Sequence, residues 1–487
     1  MYIADGTTER ERLSVLDASN LRIEDAGLPM HVAALLILDQ LPPGSPAAEP
    51  GVAAVRAAVA QWLPRVPRLR QVLSPLPPGN KTFGWAADPD FDIRGHVRAR
   101  SVPPPGDESA LLALCTQLNE QRLDRSRPLW EVWLLTGLAD GRAAVLIRLH
   151  HVMADGMAAV TMMDALFEPE PQPAPVDLEP RPAGAGSLSP RAGDPAPAPE
   201  PGGARWPGPR PPARPAMSLA ATGRHVTGLR RLAALPGQGA RLTREGRAPR
   251  LSLNQRIGPH RRLLLIRADL ERARAAGHAQ GGTVNDVVLA AVAGGMRGLL
   301  AGRAELVPDM VVKASVAVSL RRPGYQPAAG NQVGVMIVPL PAGEADPGRC
   351  LGQIARATAE RKRRPPYQPN ARFLQRWMAR AMARQRLVNV LVSNLPGPSG
   401  PRYFAGARIT EIFQIGVVQG NVTVSTGVLS YAGQLNFAVL ADRDAVPDLD
   451  AFGTGARATL GQLGALPRGR HRPPVSRTGW RLPTRME

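Results

Sequence analysis

Two periods of apolar residues alternate along this chain, and each predicts a different element. In Gly51–Leu63, Val55, Val59, Trp62 and Leu63 fall on one face of a 3.6-residue period, which predicts a helix. Ala143–His151, AAVLIRLHH, reads as a strand. The DGMAAVTMMDALF that follows reads as a helix, with Asp155 placed to cap it. Val284–Leu300 again has helical spacing. Val311–Leu320 alternates, with Val312, Ala314, Val316 and Val318 on one face, as a strand requires. Val333–Val338 is a continuous apolar run, the pattern of a strand buried on both faces. Leu387–Val392, Ile412–Val418, Val422–Tyr431 and Gln434–Leu440 predict more strands, the last two forming a hairpin through Ala432-Gly433. Further apolar blocks lie at Pro29–Leu38 and Leu111–Leu123. Strands and helices mixed in both halves argue an α/β or α+β fold.

The pattern stops abruptly at Glu168. Residues 168–216 hold 16 of the 51 prolines, one aromatic side chain, Trp206, and no apolar period, as an extended linker or crossover does. The expected organisation is therefore an N-terminal domain over 1–167, the Pro-rich segment 168–216, a C-terminal domain over 217–466 and a basic tail over 467–487. A chain of 487 residues is long enough for two such domains. No apolar run approaches the ~20 residues of a spanning helix. The N-terminal MYIADGTTERERLSV lacks the apolar core of a secretory signal. Two cysteines, Cys115 and Cys350, build neither a disulfide framework nor a Cys-rich metal site. These features predict a cytoplasmic protein that is soluble or peripherally bound to a membrane.

Charge narrows the partners. Lys+Arg 60 against Asp+Glu 40 leaves +20, and only Lys81, Lys313 and Lys362 of the basic residues are lysine. Ten arginines and one acid, Glu245, lie between Met217 and Arg262, and a second basic block runs from Arg361 to Arg386. Such an excess suits anionic lipid or a phosphorylated small molecule. Nucleic acid is not expected, because aromatics are only 4% and none interleave with the basic residues as base stacking requires.

The chemistry concentrates at His150-His151-Val152-Met153-Ala154-Asp155-Gly156. Strand alternation puts Val145, Ile147, Leu149 and His151 on one face, with Leu146, Arg148 and His150 on the other. His151 would then end an apolar row, where desolvation keeps an imidazole neutral and fit to act as a general base. Asp155 can turn back beneath the histidines to shape the loop, and Gly156 permits close backbone approach. Other readings of a His pair are a satisfied core residue, a metal site and a Ser-His-Asp hydrolase. Adjacent histidines on a strand point to opposite faces and ligate one ion poorly, no HExxH or Cys pair accompanies them, and no G-x-S-x-G elbow occurs. No metal is expected.

At this motif the chain closely resembles the bacterial wax ester synthase/acyl-CoA:diacylglycerol acyltransferase family, part of a wider group of HHxxxDG acyltransferases and peptide-synthetase condensation domains. The resemblance continues, in order, through LDASNLRIEDAGLPMHVAAL (16–35), DPDFDIRGHVR (88–98), RPLWEVWLLTGL (127–138), LNQRIGPHRR (253–262), TVNDVVLAAVAGGMR (283–297), VAVSLR (316–321), GNQVGVMIVPLP (330–341) and VSNLPGP (392–398). Gln255 stands where the family usually has Gly, and the Pro-rich segment has no counterpart. The resemblance implies two chloramphenicol-acetyltransferase-like domains with mixed sheets around an interdomain tunnel. It implies His151 as general base, His150 as its neighbour, and Asp155 and Gly156 as structural. Asn285-Asp286 matches a motif important in the family, while Pro128-Leu129-Trp130 and Ser393-Asn394 match blocks that are architectural or line the tunnel. The implied partners are acyl-CoA, a substrate rather than a cofactor, and diacylglycerol or a long-chain alcohol. No resident cofactor is implied.

Substrates of that kind live in membranes. In Asn370–Arg386, Arg372, Arg376, Arg380 and Arg384 form one helical stripe beside Phe373, Trp377 and Ala381. Such a helix either packs on the domain with its Arg face in water or lies in an anionic bilayer interface. The second arrangement predicts docking on the inner face of the plasma membrane or on lipid inclusions. The leading functional expectation is synthesis of triacylglycerol or wax esters. The alternatives are acyl transfer to another hydroxyl or amine, and a non-catalytic protein of the same fold that binds lipid or acyl-CoA.

Overall fold

A computed structural model describes residues 11–13, 15–25, 28–40, 48–75, 83–153, 167–170, 246–319, 333–363 and 385–467. Asp155, Gly156, the helix expected after them, Arg372, Arg376, Trp377, Arg380, Arg384, most of the Pro-rich segment and the basic tail lie outside the described residues. The segments before and after the Pro-rich stretch, Met1–Pro175 and Glu245–Glu487, form one compact unit.

Two six-stranded mixed sheets dominate that unit. The first contains β2 (His31–Leu38), β5 (Val97–Ser101), β6 (Trp130–Thr136), β7 (Ala143–His150), β12 (Arg402–Phe404) and β13 (Ala407–Ile415), in the order β12-β13-β2-β7-β6-β5. The second contains β8 (Arg261–Asp269), β9 (Val312–Ser319), β10 (Val333–Leu340), β11 (Val390–Pro396), β14 (Val424–Tyr431) and β15 (Gln434–Asp442), in the order β10-β9-β11-β14-β15-β8. A small three-stranded sheet joins β1 (Glu11–Arg12), β4 (Phe83–Ala87) and β3 (Gln71–Pro75). Sheet membership does not follow the two halves of the chain, because β13 crosses back to pair with β2 and β12 pairs with β13.

Helices cover the sheets where apolar rows face them. On the first sheet, Val52, Val55 and Val59 of α2 (Ala48–Ala60) pack on one face, and Leu111, Leu114 and Leu118 of α3 (Glu108–Glu120) pack on the other. On the second lie α4 (Leu270–Ala279), α5 (Val284–Gly302), α6 (Pro347–Lys362) and α7 (Leu449–Gln462). Helix α5 is long and apolar enough to cross a membrane, yet it is the central helix of this core, with Val287 to Val292 at most 1% exposed. Burying each such aliphatic side chain is worth about 1.5–3 kcal/mol. Aspartates cap three of the helices, with Asp107, Asp269 and Asp346 accepting from the backbone N–H of Ala110, Arg272 and Arg349.

The expected strands at 311–320, 422–431 and 434–440 are present within a residue or two, and the hairpin turns at Ala432-Gly433 with positive φ at both positions. One expectation is corrected. The run beginning at Val333 is not buried on both faces: among the described residues β10 is an edge strand, and from Gly334 to Leu340 buried and half-buried positions alternate. Only one of its faces meets helices, so periodicity masked by apolar residues on the other face misled the reading.

The two sheets meet at β13. Three of its carbonyls accept from side chains of the second sheet: Ile409 from Tyr431 Oη at 2.9 Å, Thr410 from Gln434 Nε2 at 3.4 Å and Ile412 from Asn436 Nδ2 at 3.1 Å. At Gly427 of β14 the backbones approach so closely that a Cβ would lie 2.2 Å from the Gln414 carbonyl oxygen. Gly427→Ala should therefore cost at least the ~1–3 kcal/mol typical of overpacking. A melting temperature unchanged by that substitution, measured by circular dichroism, would show that the seam yields.

Candidate functional site

The helix α1 (Val15–Asp25) presents Asp17, Asn20, Leu21 and Glu24 on one face, at the spacing that brings side chains into register. This face is buried, with Asp17 and Asn20 at 7% exposure and Glu24 at 1%. Strand β2 begins at His31, and antiparallel pairing sets His31 directly opposite His150 at the end of β7. The two rings meet edge to face, 5.8 Å between centroids.

Glu24 lies between them. Its carboxylate is 3.0 Å from His31 Nε2 and 3.4 Å from His150 Nε2, and it accepts from Arg125 Nε and Nη2 at 3.1 and 2.7 Å. Burial pushes the Glu24 pKa up, but the hydrogen bonds to His150, His31 and Arg125 outweigh that and hold it far below the usual carboxylate range. The His31 pKa is lowered as well, but by burial, against the pull of Glu24. Arg148 Nη2 lies 3.3 Å from His31 Nδ1 and Nη1 donates to Glu131 at 2.9 Å. Burial lowers the Arg148 pKa to about 10, so the guanidinium stays charged at neutral pH.

The tautomer of His150 follows from its partners. Nδ1 accepts from the Val152 backbone N–H at 3.0 Å, so the ring proton sits on Nε2, which lies 3.4 Å from the Glu24 carboxylate. His150 thus braces the turn that carries His151. The His150 backbone N–H donates to the Leu129 carbonyl at 2.9 Å, and that of His151 to the Met30 carbonyl at 2.8 Å. His151 itself does not end an apolar strand row as expected. The strand stops at His150, and His151 opens the following turn, half-buried, with its Nδ1 3.5 Å from the Asn20 amide. The paired register with β2 ends at His31↔His150, and beyond it the His151 N–H to Met30 carbonyl bond leads into the turn.

The other expected residues fall into two groups. Leu129 is fully buried beside His150, while Trp130 donates from Nε1 to the Leu69 carbonyl and stacks on His96 at 4.5 Å. Pro128-Leu129-Trp130 thus starts β6 next to the histidines. The second group is a hydrogen-bonded row. Asn394 Nδ2 donates to Asn285 Oδ1 at 3.3 Å, and Gln414 Nε2 donates to Ser393 Oγ at 3.2 Å. Strand alternation sends Asn394 toward α5 and Ser393 toward β13, so one motif links both sheets. Asp286 closes a capping box with Thr283 and accepts from Thr358 Oγ1 at 2.6 Å, which ties α5 to α6. Cys115 and Cys350 are buried and free, with burial raising both thiols to about 12. Among the described residues no group of three or more His, Cys, Asp or Glu is arranged to hold a metal ion.

The family model for the wax ester synthase/diacylglycerol acyltransferase catalytic domain matches residues 13–288, and that for the family's C-terminal domain matches 329–463. The chain belongs to this family. It is 29% identical over 473 residues to a Mycobacterium tuberculosis protein named probable diacylglycerol O-acyltransferase tgs1, covering 93% of this chain and 96% of that protein. To tgs2 of the same organism it is 30% identical over 481 residues, covering 92% and 97%. Among solved structures, the wax ester synthase/diacylglycerol acyltransferase of Marinobacter aquaeolei VT8 superposes with a TM-score of 0.64 at 24% identity, over 93% of this chain and 98% of that one. The starter condensation domain of rhizomide synthetase RzmA, solved with C8-CoA and Leu-SNAC, gives 0.57 at 13% identity, over 94% of each chain. These structures share the fold, which is the two-domain acyltransferase architecture.

Sequence reasoning missed Glu24, His31, Arg125 and Arg148. Signals existed for two of them: Arg148 interrupts an apolar strand, and Glu24 completes the one-face spacing of α1. The depressed pKa values set a pH dependence. Buried His31 and His96 are neutral when folded but titrate near 6.5 when unfolded, so stability is full above that value and falls as pH drops below it. Glu24 adds a further loss below its ordinary 4.5. Melting temperature against pH should show the first decline beginning near 6.5, and His31→Gln should weaken that decline. A wild-type profile flat from neutral pH down to about 4.5 would contradict the assignment.

Proposed function

We propose that the protein transfers the acyl group of an acyl-CoA to the hydroxyl of diacylglycerol or of a long-chain alcohol, making triacylglycerol or wax esters. The observation that carries this reading is the buried His150, 3.4 Å from Glu24 and accepting from the Val152 N–H, which holds the turn bearing His151. Membership in the family supports the acyltransferase class. His151 acts as the general base. It takes the hydroxyl proton as the acceptor oxygen attacks the thioester carbonyl. The tetrahedral oxyanion collapses, the C–S bond breaks, and the imidazolium returns the proton to the CoA thiolate. Proton and charge balance without a resident cofactor, and the acceptor is itself the nucleophile, so no acyl-enzyme forms. General base catalysis contributes about 10²–10⁴-fold, with positioning and oxyanion stabilisation supplying the rest.

In this reading His150 and Glu24 orient the base, and Asp155 and Gly156 shape the remainder of its turn. The Asn285, Asn394, Ser393 and Gln414 row connects α5 to the first sheet and supports the walls of the substrate passage. The enzyme reaches its acceptors at a membrane or lipid-inclusion surface, on the cytoplasmic side, through the basic stripe of Arg372, Arg376, Arg380 and Arg384 beside Trp377.

Purified protein given radiolabelled palmitoyl-CoA with dioleoylglycerol or hexadecanol should yield labelled triacylglycerol or wax ester on thin-layer chromatography. His151→Ala should lose at least about 100-fold of that turnover while its circular dichroism is unchanged. Near-normal turnover in a folded His151→Ala protein would sink the mechanism. No product from the folded wild type with either acceptor would sink the substrate assignment. Separately, Arg372→Glu with Arg380→Glu should release the protein from vesicles containing phosphatidylglycerol. Binding that survives this double reversal would remove the stripe as the docking surface.

A further inference from the structure

Asn20 lies one helical turn before Glu24, and the two side chains divide the histidine pair between them. Glu24 holds His150, while the Asn20 amide lies against His151, with Nδ2 3.5 Å from Nδ1. Asn20 is 7% exposed, so little water competes for this contact. An amide can meet an imidazole nitrogen in two ways. With Nδ2 toward the ring, Nδ1 must be the bare acceptor, and the single proton of the neutral imidazole sits on Nε2. A half-turn about the Cβ–Cγ bond exchanges Nδ2 for Oδ1, and the proton then sits on Nδ1. Only this second arrangement leaves Nε2 with the lone pair that a base needs. It alone also suits the imidazolium formed during the reaction, which donates from both nitrogens and would face an amide NH₂ donor to donor.

We propose that Asn20 is a positioning residue for acyl transfer, its Oδ1 accepting from His151 Nδ1–H and so making Nε2 the nitrogen that takes the acceptor's proton. This rests on His151 being the base. The O–H bond of the acceptor breaks as the new Nε2–H bond forms, Nδ1–H stays on Oδ1 throughout, and the Nε2 proton leaves with the thiolate. The charged and titratable groups around the pair are Asp17 and Glu24 on α1, His31 on β2, Arg148 and His150 on β7, and Arg125 in the loop between α3 and β6. Asp155 of the same motif lies outside the described residues. Glu24 is matched by Arg125 and Arg148 by Glu131, so a change at position 20 reaches His151 through the amide contact rather than through these ion pairs.

Two near-isosteric variants test the assignment in the palmitoyl-CoA and dioleoylglycerol assay. Asn20→Leu removes the acceptor and should lower kcat about 10- to 100-fold, with KM for palmitoyl-CoA changed less than about threefold. Asn20→Asp offers an oxygen whichever way it turns. It should recover kcat at alkaline pH, with the acidic limb of the kcat profile moved to higher pH because a carboxylate favours the imidazolium. A role in packing alone would leave that limb in place and make Asp no better than Leu. Leu within about twofold of wild type, or Asp no better than Leu at every pH, overturns the proposal. If Asn20→Leu fails to fold, the Asp profile decides: a shifted limb supports the proposal, and an unshifted limb overturns it. Failure of the underlying reading is distinguished by His151→Ala, which would then retain turnover whatever the Asn20 variants do.

Discussion

A carboxylate removed from water needs donors on every side, and Glu24 draws them from three other segments of the chain. Arg125 comes from the loop after α3, His31 from the start of β2 and His150 from the end of β7. Uncompensated burial of such a charge costs several kcal/mol, so these contacts gather α1, the two strand ends and the loop into one arrangement. The proton positions suit that demand. Because Nδ1 of His150 accepts from the Val152 N–H, the ring proton is on Nε2, on the side of the Glu24 carboxylate 3.4 Å away. The turn after β7 is thus fastened at its first residues by the His150 ring, packed beside a carboxylate from a helix more than a hundred residues away. This separates the work of the paired histidines. His150 holds the turn, and His151 is left half-buried at its opening.

A second constraint decides what surrounds that turn. The two sheets are joined at β13 by side chains of the second sheet that cap the strand's carbonyls, not by a continuous backbone ladder. Backbone ladders form with almost any sequence, whereas this seam needs Tyr431, Gln434, Asn436 and a missing side chain at Gly427. The row from Asn285 to Gln414 crosses close to it. Polar groups that must be satisfied in a buried seam allow few alternative registers, which gives the two sheets a defined spacing.

The legible parts of the sequence were those with local causes. Helical spacing foretold α2 and α5, alternation foretold β9, and apolar runs with their turn residues foretold β7, β14 and β15, because period and turn chemistry act over a few residues. The motif His150-His151 through Gly156, with its accompanying blocks, was enough to point to the acyltransferase family. The run from Val333 was misread because apolar composition on an edge strand hides which face is buried. Glu24, His31 and Arg148 passed unnoticed for a different reason. Each is an ordinary polar residue within a few positions of its own element, and its importance comes from a partner far along the chain.

Sequence alone therefore determined the kinds of element and the motif that points to the family, since both are written in neighbouring residues. Tertiary structure decided which of the two histidines is the brace, where its proton sits, and how strands from both halves of the chain share one sheet. Those outcomes depend on burial and on distances between residues remote in sequence. The cost of leaving a buried charge or hydrogen-bonding group unmatched arises only once the chain has closed around it.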